Sequence, residues 1–136
     1  MMNEEIKFRN VVAAVTYNPE KDRFLLVKRS SLRKRFPNEW EFPSGFLEDE
    51  SEQEGALREL KEETGLIGEV IKTGEPFKVK TEKYHFRLHP VLVRVDSENI
   101  ELTGEHENYD WVELNELGKY NTVPQIKENL EAVGLL

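Results

Sequence analysis

Three carboxylates crowd a five-residue run, Glu59-Leu60-Lys61-Glu62-Glu63. On a helix of 3.6 residues per turn, Glu59, Glu62 and Glu63 project to one side while Ala56, Leu57 and Leu60 can cover another. Like charges at these spacings repel by a few tenths of a kcal/mol per pair, so something should compensate them. Arg58 and Lys61 could do so on a solvated face, and a divalent cation could do so at a site. A patch of hard oxygen ligands suits magnesium, which is held by a few carboxylates, keeps several waters and takes phosphate oxygens as further ligands. Such an ion lowers the pKa of a bound water and polarises an oxygen that it holds.

The element that must carry these acids is legible at both ends. Ser51 followed by Glu54 is a capping-box pattern, and Gly65 stands where a helix commonly ends in a left-handed residue. The spacing predicts a helix over about 52–64.

From Glu50 onward the residues resemble the Nudix box: a Glu, seven residues, then Arg58-Glu59-Leu60-Lys61-Glu62-Glu63-Thr64-Gly65-Leu66. That pattern is Arg-Glu-apolar-any-Glu-Glu-any-Gly-apolar, and many fixed types at fixed spacing make it specific. The family also places a glycine six positions before the first Glu, where this chain has Ser44 followed by Gly45. Alignment on Trp40-Glu41-Phe42-Pro43 makes Gly45 the box glycine and shortens the following loop by one residue. The departure concerns the backbone path on the phosphate side.

The resemblance implies an α/β fold, an α/β/α sandwich around a mixed central sheet, and metal-dependent hydrolysis of a nucleoside diphosphate linked to another group. The implied ion is Mg2+, with Mn2+ as its substitute. Glu59, Glu62 and Glu63 would supply metal carboxylates and Ser44 a backbone carbonyl, with Gly45 bringing the backbone close. Arg58 would orient a glutamate, Glu50 or Glu62. Glu105, in Glu105-His106-Glu107 before Trp111-Val112, matches the late loop whose glutamate reaches the metal site. Either Glu105 or a helix glutamate would accept the proton from water. Tyr84, eighteen residues past Leu66, stands where related enzymes that cleave dinucleoside polyphosphates carry a tyrosine.

The 136 residues suffice for one domain with a real core and are too few for two ordinary ones, so residues 1–136 are expected to form a single domain. A formal charge of −8 argues against a general polyanion binder, and no stable nucleic-acid complex is expected. With no cysteine, disulfides, thiolate metal sites and cysteine nucleophiles are excluded. No apolar run approaches the ~18 residues of a membrane span, and the opening Met1-Met2-Asn3-Glu4-Glu5 is no signal peptide. A cytoplasmic address, no membrane partner, and a small nucleotide as partner are the expectations; a homodimer is compatible with all of this.

Phe8 to Tyr17 and Arg23 to Arg29 read as strands buried on both faces, joined by the turn Asn18-Pro19-Glu20-Lys21-Asp22 and therefore antiparallel. The basic segment Lys28 to Arg35 follows, either meeting substrate phosphate or lying in solvent. Lys28 and Arg29 close a strand and are the better-fixed candidates. Trp40 is expected in the core. Val70-Ile71 and Pro76 to Val79 suggest a strand interrupted near Gly74, and Tyr84 to Val95 a long one in which Pro90 favours an edge or a bulge. Thr122-Val123-Pro124-Gln125 is a second capping-box pattern, before an apolar stripe of Ile126, Leu130 and Val133.

Hydrolysis of a nucleoside triphosphate or modified nucleotide is the leading expectation and dinucleoside polyphosphate hydrolysis the alternative. A non-catalytic nucleotide-binding module would be marked by a lost box glutamate, and none is lost. The isoprenoid diphosphate isomerases that share the fold call on a cysteine this chain lacks.

Overall fold

The structure is a computed structural model that describes residues 8–81, 84–103 and 106–136. The β-branched run from Val11 lies in β1 (Phe8–Asn18), and Phe24-Leu25-Leu26-Val27 in β2 (Arg23–Arg29). They pair antiparallel as expected, but only at Tyr17↔Phe24 and Asn18↔Arg23, next to the turn. Asp22 takes the left-handed position there at φ 52°, which a short polar side chain tolerates.

Beyond those pairs the two strands part. β2 takes β3 (Trp40–Glu41) as an antiparallel neighbour, and β1 takes β4 (Ser44–Phe46). Phe42 is buried in the fork, and the Ala14 amide donates to the Pro43 carbonyl at 2.8 Å. The fork sets Glu41 on one lip and Ser44-Gly45 on the other.

α1 (Glu52–Thr64) has the expected bounds and caps. The Glu54 amide donates to Ser51 Oγ at 3.1 Å, the Ser51 amide donates back to Glu54 Oε1, and Gly65 closes the helix at φ 76°. β5 (Glu69–Thr73) and β6 (Phe77–Lys80) follow, then β7 (His85–Arg94), β8 (His106–Val112), a 3-10 turn at Leu114–Lys119 and α2 (Ile126–Ala132).

The sheet runs β3-β2-β1-β7-β5, with β4 also on β1, β6 also on β7 and β8 on β2. β7 lies parallel to β1 over its whole length and carries β6 and then β5, antiparallel, on its other side. Pro90 therefore sits inside a central strand, not at an edge. The Pro90 carbonyl accepts from the Gly74 amide at 2.9 Å, so its missing N–H faces the same side, at the gap where β6 ends at Leu88 and β5 begins at Val91. A ladder bond is not lost where no partner strand stands.

Period-two alternation sorts side chains onto two faces. Val12, Ala14, Leu25, Val27, Val91 and Val93 pack with Ala56 and Leu60 of α1. Val15, Phe24, Leu26 and Leu92 pack with Ile126 and Leu130 of α2. A mixed sheet between helices, an α/β/α sandwich, is the result.

The capping box expected at Thr122 and Gln125 does not form. Trp40 donates to the Asn121 carbonyl at 2.8 Å and accepts from the Val123 amide at 2.9 Å, so 121–123 is committed to extended pairing and α2 starts later, with no side-chain cap. The apolar stripe is used as expected: Ile126, Leu130 and Val133 are buried. Trp40 is half-buried and packs edge-on to Tyr120 at 5.4 Å.

Candidate active site

One cavity of about 920 Å³ opens at the fork and is floored by the acidic side of α1. Arg58 organises that floor. Its Nε donates to both oxygens of Glu50, at 2.6 and 3.0 Å, and its Nη1 to Glu59 Oε1 at 2.9 Å and Glu62 Oε2 at 3.1 Å. Its Nη2 donates to the Phe46 carbonyl at 3.1 Å, which ties α1 to β4. Burial opposes the charge of Arg58, but the hydrogen bonds to Glu50 and Glu59 prevail and raise the guanidinium pKa above its ordinary range. A fixed cation spread over three acids holds them close together, as a metal site needs.

Glu59 lies against backbone. A methyl group at Gly45 would stand 2.3 Å from its carboxylate carbon, so the glycine makes the space the carboxylate occupies. The backbone of Gly45 is paired with Val12 in the sheet and has no left-handed angle; closeness alone demands the small residue here.

Glu63 is the most buried of the three, with its side chain 4% exposed, and Glu62 the least, at 58%. Behind Glu63 stands a buried polar chain. His106 at the start of β8, its side chain 1% exposed, sets Nδ1 3.9 Å from Glu63 Oε1 and Nε2 3.0 Å from Glu41 Oε2. The other oxygen of Glu41 accepts from Arg29 Nη1 at 2.9 Å, and Arg29 Nε and Nη2 both donate to the Arg35 carbonyl, at 3.0 and 2.8 Å. α1, β8, β3, β2 and the basic loop are thus linked through side chains.

The opposite wall is cationic and aromatic. Arg33, Lys34 and Arg35 line it, with Phe46, Tyr84 and Phe86 beside them. Arg35 sits 5.1 Å over Phe86 and 5.4 Å over Phe36, and Arg9 sits 4.7 Å over Tyr84 and 5.5 Å over Phe46. Burial first, and the charge of Arg29 second, lower the pKa of Arg35 from its usual value.

The cavity brings together Arg29, Ser44, Gly45, Arg58, Glu59, Glu62, Glu63 and Tyr84 from among the residues singled out in the sequence. Lys28 lies outside its lining, in β2 between Trp40 and Asn108. Glu105 falls outside the described residues. Glu41, His106, Arg9 and Phe46 were not singled out. Glu41 left one signal, a carboxylate between Trp40 and the Phe42-Pro43 pair where apolar residues surround it.

Among the described residues no group of three His, Cys, Asp or Glu side chains is arranged so that it could hold a metal ion by itself. Glu59, Glu62 and Glu63 line the cavity, and oxygen donors of this kind are those a hard divalent ion takes together with water and substrate oxygens.

The family model of the NUDIX domain matches residues 7–133. The chain belongs to the Nudix family. An RNA pyrophosphohydrolase of a Nitratiruptor species is 31% identical, over 94% of each chain. A MutT protein from Methanosarcina mazei Go1 superimposes with a TM-score of 0.80 at 26% identity, covering 95% of this chain and 94% of that one. The ORF135 protein of E. coli gives 0.74 at 27% identity, covering 93% and 89%. This Nudix protein is therefore a hydrolase of phosphate anhydrides, a class that generally uses a divalent metal. Among its described residues no helix is long and apolar enough to cross a membrane.

Proposed function

We propose that this Nudix protein is a single-domain, cytoplasmic, magnesium-dependent pyrophosphohydrolase of nucleoside triphosphates or modified nucleotides. One observation carries the reading: across one cavity, a carboxylate patch gathered by Arg58 and fitted against Gly45 faces a wall of Arg33, Lys34 and Arg35 with exposed aromatic rings. A nucleotide has those two halves, an anionic anhydride and a flat base.

Glu59, Glu62 and Glu63 would hold the ion, with the Ser44 carbonyl beside them. Once bound, the ion supplies charge neutralisation and a more acidic water. The chain does the rest. Arg58 restrains the acids and so lowers the cost of ordering them. Arg33, Lys34 and Arg35 draw the polyphosphate into line, and Glu105 or a helix glutamate takes the proton from the attacking water. Arg29 spends its donors on Glu41 and the Arg35 carbonyl, so its part is to place Arg35 while the neighbouring cations meet phosphate.

A panel of nucleotides with magnesium, with products identified by mass, tests the reading. NMP plus pyrophosphate supports it. NMP plus a larger phosphate from dinucleoside polyphosphates would favour the second reading, for which the half-exposed Tyr84 ring in the cavity wall speaks. No cleavage of any member, with nucleotide still bound, would make the protein a binding module.

A further inference from the structure

His106, one of three histidines in the chain, opens β8 with its side chain 1% exposed. Its Nε2 stands 3.0 Å from Glu41 Oε2, and a carboxylate held by an arginine, as Glu41 is by Arg29, only accepts. The ring hydrogen is therefore on Nε2, and in the neutral ring Nδ1 carries a lone pair. Nδ1 is buried and makes no hydrogen bond among the described residues. It faces Glu63, whose Oε1 is 3.9 Å away, and both side chains line the cavity.

A separation of 3.9 Å is too long for a hydrogen bond and suits two ligands of one ion. Donors ~2.1 Å from a common cation stand ~3.0 Å apart at a right angle and ~4.2 Å apart when opposite. A buried ring nitrogen without a hydrogen bond is costly, and an ion is a partner that a lone pair in a closed space can take. Histidines that hold a metal commonly give their other N–H to a carboxylate, which fixes the ring and makes the ligating nitrogen more basic. Glu41 stands in that place here and is itself held by Arg29 at 2.9 Å. The buried chain thus reads as an outer cation, an orienting acid, a nitrogen ligand and a carboxylate ligand.

We propose that His106 Nδ1 and Glu63 form a nitrogen–oxygen site for a transition-metal ion of the cobalt or zinc kind, at the buried end of the carboxylate patch. Imidazole nitrogen suits such ions, whereas magnesium takes oxygen and gives up its waters reluctantly, which a corner with both donors buried does not favour. Two donors from the chain leave open positions for water and substrate, as at a catalytic and not a structural ion. The proposal shares Glu63 with the hydrolytic reading above and deepens it by naming a second kind of ion.

Calorimetry of the nucleotide-free protein measures the affinities for Co2+, Zn2+ and Mg2+, and proton NMR of the Co2+ form identifies the ligand. An imidazole bound to paramagnetic cobalt carries its remaining N–H proton far outside the ordinary range, as an exchangeable signal. Wild type, His106→Gln and the double variant His85→Gln/His89→Gln, in which His106 is the one histidine left, are compared. Glutamine can reach Glu41 as Nε2 does but brings no nitrogen lone pair to Glu63. One shifted exchangeable signal is expected in the wild type and in the double variant, and none in His106→Gln. Co2+ and Zn2+ should bind His106→Gln about tenfold or more weakly, with Mg2+ affinity unchanged. Co2+ bound without the shifted signal would overturn the proposal, as would loss of the signal in the double variant. Equal weakening of all three ions in His106→Gln would also overturn it and reduce His106 to packing. Should His106→Gln fail to fold, the double variant decides alone. A shifted signal in a protein that cleaves no nucleotide would sink the hydrolase reading and leave the ion site standing; cleavage with cobalt held by oxygen alone would do the reverse.

Discussion

Replacing Gly45 with alanine separates the needs of the site from those of the fold. The added methyl would lie 2.3 Å from Glu59 Cδ and Oε1 and 2.5 Å from Oε2. An ordinary carbon–oxygen contact is about 3.4 Å, so the carboxylate must retreat by about 1 Å. It is the far end of a flexible side chain and can do so by leaving its preferred rotamer, at a cost of about 1 kcal/mol. The strand backbone accepts alanine, and the stiffer unfolded chain returns a similar amount. Stability should therefore stay within about 1 kcal/mol of wild type. Activity should not. Misplacing a catalytic group by about 1 Å costs on the order of 100-fold, or about 2.7 kcal/mol of barrier. Thermal melts, a magnesium titration and steady-state kinetics would show a folded protein with weakened metal response and a collapsed kcat. In a Glu59→Ala background the same substitution should cost almost nothing, since the atoms it displaces are gone. Wild-type kcat in Gly45→Ala, or the same loss with and without Glu59, would refute the close-approach argument.

Excess EDTA should abolish turnover, and Glu62→Gln and Glu63→Gln should each lower kcat by roughly two decades with the fold intact; normal rates in EDTA would remove the metal from the mechanism. Arg29→Ala leaves Glu41, nearly buried, without its cation, and breaking such a pair costs about 3 kcal/mol, or roughly 10 °C in Tm. Arg33→Ala and Lys34→Ala should instead raise KM at unchanged Tm, and a wild-type melt for Arg29→Ala would deny the buried network its structural weight. The Tyr120 phenol donates to Asp110 at 2.5 Å, and this bond first, burial second, pushes its pKa up to about 12. Because the folded state holds the proton more tightly, the associated stability is complete below the ordinary tyrosine pKa of about 10 and is lost as pH rises through 12. Ultraviolet titration should find a late phenolate that is absent from Tyr120→Phe.

What could be read from the sequence was local. The bounds of α1 were legible because Ser51, Glu54 and Gly65 act within a turn of the helix ends they fix. The β1–β2 turn was legible for the same reason. Pro90 misled because the rule against proline concerns a missing partner for its N–H, and the partner's absence depends on where β5 and β6 happen to end. The roles of the cations were hidden in the same way. Lys28, Arg29 and the loop cations look alike as letters; what separates them is the acceptor each reaches. Arg29 finds Glu41 twelve residues on, which in turn meets His106 sixty-five residues further. Arg9, outside the basic segment altogether, meets aromatic rings from β4 and from beside β7. A charge that has found its carboxylate in the folded chain has little left for a ligand, whereas contact with ring faces uses none of a guanidinium's N–H donors. Pairing over long sequence separations thus decides which cations are available for binding, and a linear count of charges does not contain it.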